Sequence, residues 1–137
     1  MIVFFDSNVL AYMFDNEEPV KQRLAIHRLS NSLGHDRIAL STQVLHEFVN
    51  VVTRKLKNRL PLAEAITQVE RFCQFEILGS NAASVQTALA LMQEYKTSWW
   101  DALILEAALR VDADVLVTED GQHGQRFGKL IVENPFL

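Results

Sequence analysis

Ile2-Val3-Phe4-Phe5-Asp6-Ser7-Asn8 sets four unbroken apolar residues directly before an acid and two turn formers. A short run of this kind, closed by Asp, Ser and Asn, reads as a strand buried on both faces. A strand with one wet face would alternate apolar and polar residues, so the run points to a parallel sheet covered by helices on both sides. Similar short runs follow at Arg37 to Leu40, Glu76 to Leu78, Val115 to Val117 and Lys129 to Val132. Between them lie segments of helical period: about Val20 to Ser32, Gln43 to Leu56, Leu62 to Cys73, Ala82 to Tyr95 and Trp99 to Val111. This alternation predicts an α/β fold of three layers, with a mostly parallel central sheet between helices.

The chain has 137 residues, 49% of them hydrophobic and 22% charged, and no linker or repeat breaks it. One globular domain spanning residues 1–137 is expected. No stretch reaches the roughly 18 to 20 apolar residues of a membrane span. Met1 leads straight into the first strand without a basic segment or cleavage site, which predicts a cytoplasmic protein. Cys73 is the only cysteine, so an intramolecular disulfide and a Cys-based metal cluster are excluded. Its place in a helical pattern predicts a buried structural thiol. The net charge of -4 argues against indiscriminate nucleic-acid binding.

Four acids stand against apolar segments. Asp6 and Asp120 each follow a strand, and open parallel sheets bind ligands at the carboxyl ends of their strands. Glu47 has Val44, Phe48 and Val51 as helical neighbours, and Asp101 has Ile104, Leu105 and Ala108. A lone buried carboxylate costs several kcal/mol, so it becomes neutral, pairs with a cation or binds a metal. Each acid also has a plainer role available. Asp6 could serve its turn, Asp101 could form a capping box with Ser98, and Glu119 could replace Asp120 as the functional acid of their shared loop. Three or four converging acids suit one or two Mg²⁺ or Mn²⁺ ions, which are hard cations with a preference for oxygen. Two such ions about 3.5 to 4 Å apart support hydrolytic phosphoryl transfer. Without these four, 13 acids face 13 Lys and Arg, so the acidic balance belongs to the proposed site and nucleic acid remains an open substrate.

Arg54, Lys55, Lys57 and Arg59 form the one dense basic run. They complement the negative end of the preceding helix, and they could also hold RNA phosphates. Trp99 and Trp100 read as core or dimer packing, with stacking on an unpaired base as the alternative. His46-Glu47 begins H-E-x-x-H, but Asn50 replaces the second histidine, which removes a zinc protease. His27 and His35 read as ordinary positions. His123 follows Asp120 and could reach a substrate phosphate. No P-loop, G-x-G-x-x-G or G-x-S-x-G occurs.

Asp6-Ser7-Asn8 with Leu10, Glu47 in a helix, Ser98-Trp99-Trp100-Asp101-Ala102-Leu103-Ile104, and Thr118-Glu119-Asp120 after a late strand together resemble a PIN-domain ribonuclease. The likeness covers essentially the whole chain and is strongest to VapC-type toxins of bacterial toxin-antitoxin modules. It implies that Asp6, Glu47, Asp101 and Asp120 ligate Mg²⁺ or Mn²⁺, with Asn8 and Thr118 shaping the site and RNA as substrate. It favours Asp120 over Glu119, because T-x-D is the family pattern. It further implies a small DNA-binding antitoxin as partner and a homodimer. Against this stands a noncatalytic PIN-like module with a vestigial acidic pocket, engaging RNA or a protein. A haloacid-dehalogenase-like phosphatase lacks the second acid of D-x-D, and a receiver domain lacks its phosphoacceptor Asp.

Overall fold

A computed structural model describes residues 1–137. Its strands are β1 (Ile2–Phe5), β2 (Arg37–Ser41), β3 (Glu76–Leu78), β4 (Val115–Val117), β5 (Arg126–Phe127) and β6 (Leu130–Glu133). They form one sheet in the order β3-β2-β1-β4-β6-β5, parallel throughout except for the β5–β6 hairpin. The helices are α1 (Ser7–Tyr12), α2 (Pro19–Ser32), α3 (Thr42–Asn50), α4 (Leu62–Phe72), α5 (Ala82–Tyr95) and α6 (Trp99–Arg110).

From β1 the chain steps outward through β2 to β3, then returns across the sheet to β4 on the other side of β1. Right-handed crossovers made in opposite directions place helices on opposite faces. Accordingly α1 packs on α2 and α3, while α5 and α6 pack on each other. Val3, Phe4 and Phe5 are each 0% exposed, as a central strand covered on both faces requires. The expected three-layer fold is the one observed.

Local chemistry sets the helix starts. Pro19 occupies the first turn of α2, Ser41 accepts the Val44 N–H at 3.3 Å to cap α3, and Asn81 with Ser84 forms a capping box for α5. Phe48 from α3 meets Phe14 and Phe72 edge to face, which ties α4 to the core.

Three local expectations are corrected, and one strand was not expected. Residues 7–12 form α1 rather than a simple turn. The single helix expected from Gln43 to Leu56 ends at Asn50 and continues as a π-helical turn, Val51–Lys55, closed by the Leu56 N–H on the Val51 carbonyl at 3.0 Å. There the Thr53 hydroxyl bonds the Val49 carbonyl at 2.6 Å, a local competitor of the helical ladder. Cys73 is exposed, because α4 ends at Phe72 and leaves it as the C-cap. Strand β5, only two residues long, is too short to show a period. No helix is long and apolar enough to cross a membrane.

Candidate metal centre

Strands β1 and β4 are neighbours at the point where the connections diverge to opposite sides of the sheet. Such a switch point opens a crevice at the carboxyl ends of its two strands. Asp6 leaves β1 there, and Thr118 to Asp120 leave β4. The Asp6 N–H on the Val117 carbonyl at 2.9 Å joins the two exits.

Asp6 is buried and caps α1. Its Oδ1 accepts the Ser7 N–H at 2.7 Å, and its Oδ2 accepts the Thr118 hydroxyl at 2.8 Å. Thr118 Oγ1 in turn accepts the Asp120 N–H at 3.0 Å and the Asn8 carboxamide at 3.4 Å. Asn8 bridges the two exits, donating to Asp120 Oδ2 at 3.2 Å while its Oδ1 accepts the Glu119 N–H at 3.2 Å. Glu47, half-buried on α3, is held by the Ser7 hydroxyl at 2.6 Å and by Gln43, one helical turn earlier, at 2.6 Å. Ser7 is thus the covalent neighbour of one acid and the hydrogen-bond partner of another. The sequence reading missed both Ser7 and Gln43; the spacing of Gln43 four residues before Glu47 was the available signal.

Asp6, Glu47, Asp101 and Asp120 all line one cavity of about 350 Å³, together with Asn8, Tyr12 and Trp100. No Lys or Arg lines it. Asp101 and Asp120 are exposed, which corrects the expectation that Asp101 presses against an apolar face. Ile104 and Leu105 are buried, but Asp101 lies in the first turn of α6 and stands at the mouth. Ser98 caps that helix by accepting the Asp101 N–H at 3.1 Å; the observed cap uses the Asp101 backbone. Trp99 is half-buried, whereas Trp100 is 62% exposed.

The acids feel one another. Burial is the main force raising Asp6 from its ordinary 3.8 to about 6, opposed by the Thr118 and Ser7 hydrogen bonds and reinforced by Glu47 and Asp120. Partial desolvation of its carboxyl at the cavity also raises Asp120, followed by the charges of Asp101 and Glu119. In their present positions no three of the acids stand close enough to hold one ion. Glu47 and Asp120 are each tethered to a neutral donor. The all-oxygen donor set, free of any internal cation, fits a hard divalent ion.

Glu119, the alternative acid of this loop, pairs with Lys21 and accepts the Tyr12 hydroxyl at 2.8 Å, so it is engaged outside the cavity lining. His123 does not line the cavity either; its Nδ1 accepts the Asn134 N–H at 3.0 Å and holds the C-terminal segment. Arg54, Lys55, Lys57 and Arg59 are exposed beside Val51 and Leu56, two residues of the cavity wall.

The likenesses to known proteins agree with this architecture. No functionally curated protein matches the sequence. Among solved structures, the chain resembles VapBC2 from Rickettsia felis bound to a DNA fragment from their promoter, at 24% identity and a TM-score of 0.69, over 98% of each chain. It resembles a toxin-antitoxin complex from Klebsiella pneumoniae at 20% identity and a TM-score of 0.73, over 97% of each. It also resembles VapC20 of Mycobacterium tuberculosis, a Sarcin-Ricin loop cleaving toxin, at 15% identity and a TM-score of 0.60, over 83% of this chain and 86% of that one. The sequence profile of the PIN domain matches residues 3–127, nearly the full length. With the parallel sheet, the acids at its switch point and this match in agreement, the chain belongs to the PIN domain family.

Proposed function

We propose that the protein is a metal-dependent endoribonuclease that hydrolyses RNA phosphodiester bonds and serves as the toxin of a type II toxin-antitoxin pair. The observation that carries this reading is one cavity lined by four acids and no internal cation, at the switch point of a PIN fold. Asp6, Glu47, Asp101 and Asp120 would hold one or two Mg²⁺ or Mn²⁺ ions. Bound there, the ions would supply Lewis-acid stabilisation of phosphate charge and a more acidic water.

The protein's own groups set the geometry. Thr118 and the Ser7 backbone fix both oxygens of Asp6, so that acid is pre-oriented. Asn8 orients Asp120, and Gln43 with Ser7 orients Glu47. Asp101 at the exposed mouth has the freedom to close onto an arriving ion. Arg54, Lys55, Lys57 and Arg59 lead RNA phosphates toward the acidic cavity, adding affinity without reading bases. A small antitoxin of VapB type is the partner that keeps this activity in check, the nuclease pairs with a second copy, and both act in the cytoplasm. A short reading frame immediately upstream, encoding a DNA-binding protein, would support the module.

Incubation with RNA and Mn²⁺ tests the reading. Cleavage is expected, abolished by a chelator; cleavage surviving in both Asp6→Asn and Asp101→Asn sinks it. The separation of the acids favours a second reading, a vestigial pocket on a noncatalytic module. Calorimetry discriminates, since a vestigial pocket takes up no stoichiometric Mn²⁺. The Lys21–Glu119 pair gives a finer check. Lys21→Met removes a positive charge and frees Glu119, and partly exposed pairs contribute less than about 1 kcal/mol. The variant is expected to keep its melting temperature within about 2 to 4 °C and to bind Mn²⁺ about two- to fivefold more tightly. An unchanged affinity would place Glu119 outside the reach of the site.

A further inference from the structure

Asp6, Asp101, Ile104 and Asp120 line a second cavity as well as the first, so the acids form a partition between two spaces. The second space is the smaller, about 150 Å³ against about 350 Å³. Its character differs. Tyr95, the last residue of α5, and Phe127 of β5 meet edge to face with ring centroids 4.8 Å apart, forming an aromatic side. Leu116 and Val132 supply a buried apolar floor. Gln125 also lines the space: its backbone is fixed by hydrogen bonds with Gln122 and Val132, and its carboxamide carries both donor and acceptor.

We propose that this space is a base-recognition subsite, which takes one unstacked nucleobase next to the phosphate being cut. The proposal rests on the ribonuclease reading and deepens it. Beyond the shared acids the lining is largely apolar and carries no Lys or Arg to hold a phosphate, so the part of an RNA strand that enters is its uncharged base. The volume suits one planar ring system. Sequence-selective recognition of single-stranded RNA splays bases out, stacks them on aromatic rings and reads their edges through hydrogen bonds. Tyr95 and Phe127 provide the stacking surface, and the Gln125 carboxamide provides a two-point reader of the kind that pairs with a base edge. Because the partition is shared, a base held here sets which phosphate lies over the acids. The acidic side would also accept a basic side chain from a protein, but an aromatic wall beside a carboxamide favours the base.

The test is the cleavage profile on an RNA library randomised around the cut, for the wild type, Gln125→Ala and Gln125→Glu with Mn²⁺. The wild type is expected to prefer one base at a position flanking the cut. Gln125→Ala should relax that preference about 10-fold, and Gln125→Glu, which replaces a donor with an acceptor, should move it to another base. Phe127→Leu should lower kcat/KM about 10-fold through lost stacking, with Mn²⁺ affinity by calorimetry unchanged in all three variants. Wild-type cleavage without a flanking preference, or the same preference in both Gln125 variants, overturns the subsite while leaving the nuclease in place. Absence of Mn²⁺-dependent cleavage by the wild type overturns the nuclease reading and the subsite together.

Discussion

At pH 8 without divalent ions, the Asp6→Asn variant is expected to unfold about 3 to 8 °C above the wild type, and with Mn²⁺ present to cut RNA at least about 100-fold more slowly. The two effects share one cause. Asp6 is 5% exposed, and its carboxyl is raised from 3.8 to about 6, chiefly by burial. Below pH about 4 the group is protonated in both folded and unfolded chains, and nothing is lost. Between about 4 and 6 the unfolded chain ionises first, so the folded state binds more protons and stability falls as pH rises. Above about 6 the deficit levels off near 3 kcal/mol. Asparagine removes the charge, but its NH₂ opposes the Thr118 hydroxyl proton and returns about 1 kcal/mol of that gain. A net gain of about 2 kcal/mol remains at pH 8, and at pH 4 the order of the two proteins reverses. Melting curves from pH 4 to 8 check this. A difference independent of pH would show that Asp6 ionises in the fold without penalty. Added Mn²⁺ should raise the wild-type melting temperature and leave the variant's unchanged, because ligand binding to the folded state alone stabilises it.

The same acids show how far a single sequence carries. Val3, Phe4 and Phe5 were legible because burial on both faces leaves no polar residue in the strand. From those ends, Asp6 and Asp120 followed directly, since a parallel sheet gathers its strand exits at one edge. Glu47 was legible from Val44 and Phe48 on its own helix. Asp101 lines the same cavity as the other acids, though not for the reason expected: periodicity gives the angle around a helix, but first-turn position carries that side chain past the sheet edge to the mouth. The hydrogen bonds that fix the site were hidden, because Ser7 with Glu47 and Asn8 with Asp120 lie 40 and 112 residues apart. The partner of Glu119 was hidden for the same reason, as nothing local announces Lys21, 98 residues away. Helix α1 escaped notice because six residues are too few to show a period.

Thr118 is where those hidden contacts converge, and Thr118→Val is expected to destabilise the protein by about 2 to 3 kcal/mol, lowering its melting temperature by about 6 to 12 °C. Valine has nearly the same shape, so the loss is chemical and not a matter of packing. Thr118 is 3% exposed, and its hydroxyl donates to Asp6 while accepting from the Asp120 N–H and from Asn8. Without it, Asp6 Oδ2 loses its buried donor, and the β4 exit loses the acceptor that turns Asp120 toward the cavity. The lost hydrogen bond was lowering the Asp6 carboxyl, so its removal pushes that group higher still, above about 6. A proton then competes more strongly for the same oxygen, and Mn²⁺ affinity at neutral pH should fall 10- to 100-fold, the range typical of groups that orient metal ligands. Raising the pH should recover part of that loss in the valine variant and little in the wild type. Thr118→Ser keeps the hydroxyl and should stay within about 1 kcal/mol of the wild type. Equal losses in the serine and valine variants would show that the methyl group, and not the hydroxyl, is what the site requires.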